Sequence, residues 1–415
     1  MKEPEMTNSK IQKDKINIAV RKAYNLIEKS RIKQAGVFSL HDEIMRNALK
    51  SDDFYYKYPR NIIFKVSSEC NLRCKHCFFY DKKECYDSTN ELCDEEKLKL
   101  VRYFAEDINI MHCTLTGGEI FASPIIFDII KILKKNNIPL DLLTNGTLID
   151  EKIADKLSEI LNPSYDLFQI SLEGANENIN DKIRGKGSFN KIIKAIKLLK
   201  NYKFKVFVAT TLNNSNVEQL TDIYKLCKEL KVDRLNIGKM VPVHESHKKM
   251  TATTEQIIVN TAKLYDIYDD SLKLKFRGLN TSDFLEFEEG RKIFDEKLEK
   301  ESTDNPILHC TPHHDQVAIF PNGNVSICYD CDKPIFSIGN LKKDTFNKIW
   351  QNRFSHPLFK KRLAVNSACR NCKYIPFCNT GCIFRAIELH NTINAPGIDC
   401  KYYNDVVSKK NMVKK

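Results

Sequence analysis

The sequence predicts an α/β fold: a parallel sheet built from repeated strand-helix units, followed by a second domain held by cysteines. Between residues 59 and 250 short apolar runs alternate with longer segments of helical period, the pattern of parallel strands joined by crossover helices. Eight of the fifteen cysteines then crowd into residues 310–400. The stretch between, from Thr254 to Lys300, reads as helical and acidic.

In chain order, residues 1–58 form an extension with an amphipathic helix over Lys13–Lys33 and a second short one near His41–Leu49. Strands are expected at Ile62–Ser67, Met111–Leu115, Leu140–Leu143, Leu167–Ser171, Val206–Thr210 and Arg234–Ile237. Helices are expected at Asp94–Asp107, Pro124–Asn136, Asp150–Leu161, Phe189–Lys200 and Val217–Leu230. Six such units make either an incomplete barrel or an open parallel sheet, and both place the working site at the carboxyl ends of the strands. A hairpin is signalled by Val317–Phe320, the turn Pro321-Asn322-Gly323, and Val325–Ile327. The domains are therefore a helical extension at 1–58, the βα core at 59–250, a helical connector at 251–309 and the cysteine-rich domain at 310–415.

With 42% apolar residues and no apolar run near the ~20 residues of a membrane span, the composition is that of a globular protein with no membrane partner. The first residues lack an export signal, so a cytoplasmic location is expected. Fifteen cysteines in such a chain point to metal or redox chemistry rather than a disulfide framework. The net charge of +12 does not by itself point to nucleic acid, because the lysines are spread over helices that also carry Glu and Asp.

Cys70, Cys74 and Cys77 directly follow the first strand, on a loop at the sheet's carboxyl edge. Three thiolates so close in sequence can take three irons of a four-iron, four-sulfur cluster and leave the fourth open to a chelating small molecule. A zinc knuckle completed by His76 or a distant residue is the competing reading. Cys113 within a strand and Cys227 within a helix read as small buried apolar residues, and Cys85 and Cys93 as loop thiols. His244, His247, His313 and His314 read as surface residues, with a position facing the cleft as the alternative.

The spacing Cys70-x3-Cys74-x2-Cys77, with Phe78 next, resembles the signature of the radical S-adenosylmethionine (SAM) superfamily, and the likeness runs over residues 62–245. Its fold implies a partial (β/α)6 barrel. Thr116-Gly117-Gly118-Glu119 ends the second strand as the family's Gly-Gly-Glu motif does, with Ile120 where Pro is common. The resemblance implies that Gly117, Gly118 and Glu119 clamp the methionine amino group. It also implies that Asn145, Ser171 and Arg184, in Thr144-Asn145-Gly146, Ser171-Leu172-Glu173-Gly174 and Arg184-Gly185, touch the ribose and carboxylate. Asn145 is equally a turn residue.

The order Cys310, Gly323, Cys328, then Cys369-x2-Cys372-x5-Cys378-x3-Cys382 and Cys400, resembles the SPASM domain of peptide- and protein-modifying members. It implies two auxiliary four-iron clusters, one on Cys310, Cys328 and Cys382 and the other on Cys369, Cys372, Cys378 and Cys400. Cys331 is a candidate fourth ligand of the first, unless that iron stays open for substrate. A pair of structural zinc sites is the alternative here.

Together these likenesses imply reductive cleavage of SAM and oxidative modification, crosslinking above all, of a ribosomally made peptide or protein, with a flavodoxin- or ferredoxin-type one-electron donor and an anaerobic host. The alternatives are a maturase of the anaerobic sulfatase type, a tetrapyrrole or small-cofactor synthase, and, more remotely, a non-catalytic electron-transfer or zinc protein. Tyr329 stands where the sulfatase type has Asp, and Gly117-Gly118-Glu119 has no use in a non-catalytic protein.

Overall fold

The computed structural model describes residues 3–32, 58–78, 90–242, 245–300, 316–329, 332–357, 369, 372–378, 382–392 and 400. The second short helix expected near His41–Leu49, and Cys85, His244, Cys310, His313, His314 and Cys331, lie outside the described residues.

Each expected strand forms, because each is a run whose alternate side chains bury against helices. They are β1 (Asn61–Lys65), β2 (His112–Thr116), β3 (Leu140–Thr144), β4 (Leu167–Ser171), β5 (Lys205–Leu212) and β6 (Arg234–Lys239). Between them run α2 (Asp94–Arg102), α3 (Ile126–Lys135), α4 (Glu151–Ile160), α5 (Glu177–Arg184), α6 (Ser188–Asn201) and α7 (Leu220–Glu229). The helix α1 (Glu3–Ile32) precedes them.

The strands of this core pair in parallel and in sequence order from β1 to β6. Residues 251–300 are not wholly helical. After α8 (Glu245–Met250) and α9 (Thr254–Ile267) comes β7 (Lys273–Arg277), a seventh parallel strand beside β6, then α10 (Thr281–Leu285) and α11 (Glu288–Lys300). The sequence Lys-Leu-Lys-Phe-Arg hid this strand, because its inward positions are all cationic and only Leu274 and Phe276 turn to the core.

At the other edge β8 (Gln316–Ile319) lies parallel to β1, the expected hairpin joins it antiparallel to β9 (Asn324–Ser326), and β10 (Ser337–Asn340) pairs antiparallel with β9. Gly323 supplies the left-handed backbone of the turn, φ 81°, and donates its N–H to Phe320 O at 2.9 Å. Among the described residues the sheet thus runs β10-β9-β8-β1-β2-β3-β4-β5-β6-β7, an unclosed barrel rather than a ring. Beyond it come α12 (Phe346–Gln351), α13 (Ile375–Cys378) and α14 (Ile383–His390).

One continuous core joins the outward faces of the strands to the helices, with Leu115, Leu142, Phe168, Ile170, Val208 and Leu235 almost wholly buried. Each such side chain contributes about 1.5–3 kcal/mol on burial. The extension is part of this core. Val20, Ala23, Leu26 and Ile27 of α1 are buried, and Tyr24 meets Phe284 and Phe294 edge-on at 5.7 and 5.5 Å. Ion pairs from Arg21 to Glu289 and Glu296, and from Lys22 to Asp266, lace α1 to α9 and α11.

Candidate functional site

The strand ends assemble the site. After β1 the chain enters the loop of Cys70, Cys74 and Cys77, and the loop after β2 is zipped onto it. Val66 N donates to Thr116 O, Gly118 N to Ser67 O and Glu119 N to Glu69 O, each at 2.8 Å. A Cβ on Gly118 would stand 2.0 Å from Glu69 O, and one on Gly117 2.4 Å from Ser67 O. The close approach these glycines permit is therefore to the cysteine loop itself.

Glu119 is 1% exposed and turned inward. Its Oε1 accepts from Thr144 Oγ1 (2.6 Å) and Phe121 N (3.2 Å), and its Oε2 from Asn145 N (2.7 Å). Burial pushes its carboxyl above the ordinary carboxylate range, against the lowering by these donors. The carboxylate pins the end of β3 and so places Asn145. The Asn145 amide in turn donates to Asn71 Oδ1 at 2.9 Å and faces Cys70 Sγ at 3.7 Å, while its Oδ1 accepts from Thr147 N at 2.8 Å.

On the far side of the loop, Lys75 N donates to Ile183 O at 2.9 Å, binding the cysteines to the end of α5. Arg184, 6% exposed, lies with Nη1 3.9 Å from Cys74 Sγ and Nη2 3.2 Å from Glu173 Oε1. The same Glu173 oxygen stands 3.3 Å from His76 Nε2, and Oε2 accepts from Thr211 N at 2.8 Å. Burial pushes the Glu173 carboxyl up, yet His76 and Arg184 more than offset it and leave it below the ordinary range. His76 is thus engaged by a carboxylate.

Ser171 ends β4 on the inner face of the sheet, level with Ala209. Phe78 leaves the loop and packs edge-on against Phe384 at 5.7 Å, beside Phe336, Ile327 and Cys328. Sequence reasoning gave Glu173 no role, although it lies two residues past Ser171. The signal was Gly174, whose Cβ would meet Asn180 N at 2.6 Å and which lets the strand turn with its carboxylate inward.

Burial pushes the Cys74 thiol up to about 11 against the pull of Arg184, with Cys77, Glu173 and Cys70 adding to the rise, and burial also raises Cys70. In the C-terminal region a second group of thiols gathers. Cys378 is pushed up to about 12 by burial and then by Cys400, Cys369, Cys372 and Asp283, and Cys369 to about 12 by burial and then by Cys372 and Cys400. Cys328 is buried and Cys382 exposed, while their expected partners Cys310 and Cys331 lie outside the described residues. Cys113 and Cys227 are buried with strongly raised thiols, and Cys93 is exposed at the start of α2. His247, read as a surface residue, is instead 1% exposed.

Residues 64–227 match the model of the radical SAM superfamily, and residues 310–373 that of an iron-sulfur cluster-binding domain, the SPASM domain. The chain belongs to the radical SAM superfamily. This radical SAM protein is 29% identical, over 77% of its length and 87% of the relative's, to a cysteine-type anaerobic sulfatase-maturating enzyme of Clostridium novyi. It is 24% identical, over 79% of its length and 92% of the relative's, to an AdoMet-dependent heme synthase of Methanosarcina barkeri. Its fold is that of Streptococcus suis SuiB, solved bound to precursor peptide SuiA: TM-score 0.61 at 18% identity, over 85% of this chain and 76% of that one.

The superfamily uses a four-iron cluster and SAM, and the residues present fit both. Three thiols share one loop against a buried guanidinium, and the buried atoms Arg184 Nε and His76 Nδ1 have no hydrogen-bond partner. Among the described residues no three His, Cys, Asp or Glu side chains form a ligand set for a single metal ion. No described helix is long and apolar enough to cross a membrane.

Proposed function

We propose that the protein reductively cleaves SAM at a cluster on Cys70, Cys74 and Cys77 and oxidatively modifies, by crosslinking, a ribosomally made peptide or protein. The observation that carries this reading is the contiguity of its two thiol groups. Phe78, next to Cys77, packs on Phe384 of the cysteine-rich region. Lys239 at the end of β6 pairs with the buried Asp283, which bears on Cys378. A second set of thiols thus adjoins the mouth of the barrel, and auxiliary clusters held there would supply an acceptor for the electron that an oxidation releases.

When bound, the cluster and SAM supply the radical chemistry that abstracts hydrogen from a C–H bond. The chain's own residues hold the site. Asn145 and Asn71 orient the loop at Cys70, and Arg184, held by Glu173, sets positive charge at Cys74 and against a carboxylate. Glu119 fixes the turn that presents Asn145, with Gly117, Gly118 and Ser171 completing the SAM cradle and Phe78 closing it. Cys369, Cys372, Cys378 and Cys400 hold one auxiliary cluster and Cys310, Cys328 and Cys382 the other, with Cys331 as its fourth ligand. A flavodoxin- or ferredoxin-type donor supplies the electron, in the cytoplasm.

The heme synthase relative favours one other reading, a tetrapyrrole substrate. Anaerobic co-expression with short peptides encoded beside the gene, followed by mass spectrometry, separates the two. A peptide that loses a pair of hydrogen atoms, with the new bond located by fragmentation, is the expected result. Unmodified peptides together with a consumed tetrapyrrole would replace the reading.

A further inference from the structure

Along β6 and β7 the outward side chains Leu235, Ile237 and Leu274 belong to the core, so the alternate residues Arg234, Asn236, Lys275 and Arg277 face the inside of the curled sheet. The curl is visible in contacts across strands. Asn236 reaches over Ala209 to donate to Gln169 Oε1 on β4 at 2.7 Å. Asp141 on β3 acts electrostatically on both Arg234 and Lys275. On the inner wall at β1 and β8, Ile63 packs with Ala318 and Phe320, and the buried Lys65 lies 4.1 Å over the Phe320 ring.

The register fixes the depth of the cations. Ser171, Ala209, Asn236 and Lys275 lie on one rung of the sheet. Arg277 is one inward step nearer the mouth, level with Gly238 and Thr211. Arg234 is one step deeper, its guanidinium 3.7 Å over the Phe207 ring and its Nε buried without a hydrogen-bond partner.

Three neighbouring cations, Arg234 and Lys275 half-buried and Arg277 exposed, repel one another. Burial, and then Arg277 and Arg234, bring the Lys275 ammonium down to about 8, and burial followed by Arg277 brings Arg234 down to about 10. Asp141 on β3, 3.1 Å from His112, acts on both Arg234 and Lys275 in the opposite sense. The row climbs the inner wall from Arg234 at the start of β6 to Arg277 at the end of β7, and like charges so placed are relieved by a bound anion.

We propose that Arg234, Lys275 and Arg277 form a carboxylate-binding wall inside the barrel, selecting a substrate with an acidic group beside the rung of Ser171. The planar fork of Arg277 at the mouth grips the carboxylate by paired hydrogen bonds, and Lys275 adds a point charge beneath it. The inference rests on the proposed function only for the carrier of that group. An acidic side chain of a peptide and a tetrapyrrole propionate present the same chemistry.

The test titrates the reconstituted, SAM-loaded protein with two matched pairs of probes, read by fluorescence. One pair is a labelled Gly/Ser-rich peptide with a central Glu-Glu or Gln-Gln; the other is coproporphyrin III or its tetramethyl ester. In at least one pair the acid form binds about tenfold more tightly, a preference that falls to about twofold in Lys275→Gln/Arg277→Gln and returns in Lys275→Arg/Arg277→Lys. A preference confined to the porphyrin keeps the wall and discards the peptide reading; one shown by the peptide supports both. Equal binding of acid and neutral forms in both pairs, or a preference that survives the Gln variants, overturns the wall.

Discussion

The two thiol groups are held in opposite ways. Cys70, Cys74 and Cys77 lie on one short loop, and the barrel brings partners to them: Gly118 by close approach, Asn145 beside Cys70, Arg184 beside Cys74. Cys369, Cys372 and Cys378 are also close in sequence, but Cys400 comes 22 residues after Cys378, and their gathering relies on the barrel's rim. Thr281 Oγ1 donates to Phe377 O at 2.9 Å, Arg385 Nη1 to Gly278 O at 3.0 Å, and Asp283 bears on Cys378. The first group is a local motif with an imported environment. The second is a long-range assembly built against a finished barrel, and it should fail when the rim fails.

The largest effect that breaks this contrast is expected from Gly118→Val. Its Cβ would clash with the backbone of Glu69 at 2.0 Å, parting the two loops. Iron analysis should show loss of about four irons, one cluster's worth, with nucleoside formation abolished and the C-terminal clusters retained. Next comes Glu173→Gln, which leaves the shape intact but weakens the hold on His76 and Arg184. SAM cleavage should fall about 10–100-fold, as for other residues that orient a metal site through its ligands.

Lys239→Met strands the buried Asp283 carboxylate at the rim. Removing one partner of a buried pair costs about 3–5 kcal/mol. Denaturation of the anaerobic holoprotein should show that loss, and chelator challenge should strip iron from the C-terminal region before the core. The smallest effect is Arg21→Ala on α1, whose half-exposed pairs contribute less than about 1 kcal/mol. A larger loss in the same denaturation experiment would mean that α1 is held by charge rather than by its buried Val20, Leu26 and Ile27 face.

Six core strands and the hairpin were legible because a short apolar run marks each. The sequence hid β7, whose inward residues are charged, and α5, whose eight residues are mostly polar and start from the Asn176 cap, its Oδ1 accepting from Ile179 N at 3.1 Å. The cysteine spacing was plain, but the direction of a carboxylate was not. Glu119 accepts from Thr144 and Asn145, partners at the end of another strand that the local motif does not announce. Glu173, unassigned in sequence, joins His76 and Arg184 because it needs partners from a different strand and helix.

The most direct test is anaerobic reconstitution with iron and sulfide, an iron count, and an assay of 5′-deoxyadenosine after adding SAM and dithionite, beside a Cys70→Ala/Cys74→Ala/Cys77→Ala variant. About twelve irons per chain, falling to about eight in the variant, with nucleoside formed only by the unaltered protein, is the predicted result. Bound zinc and no nucleoside from a fully loaded sample would contradict it.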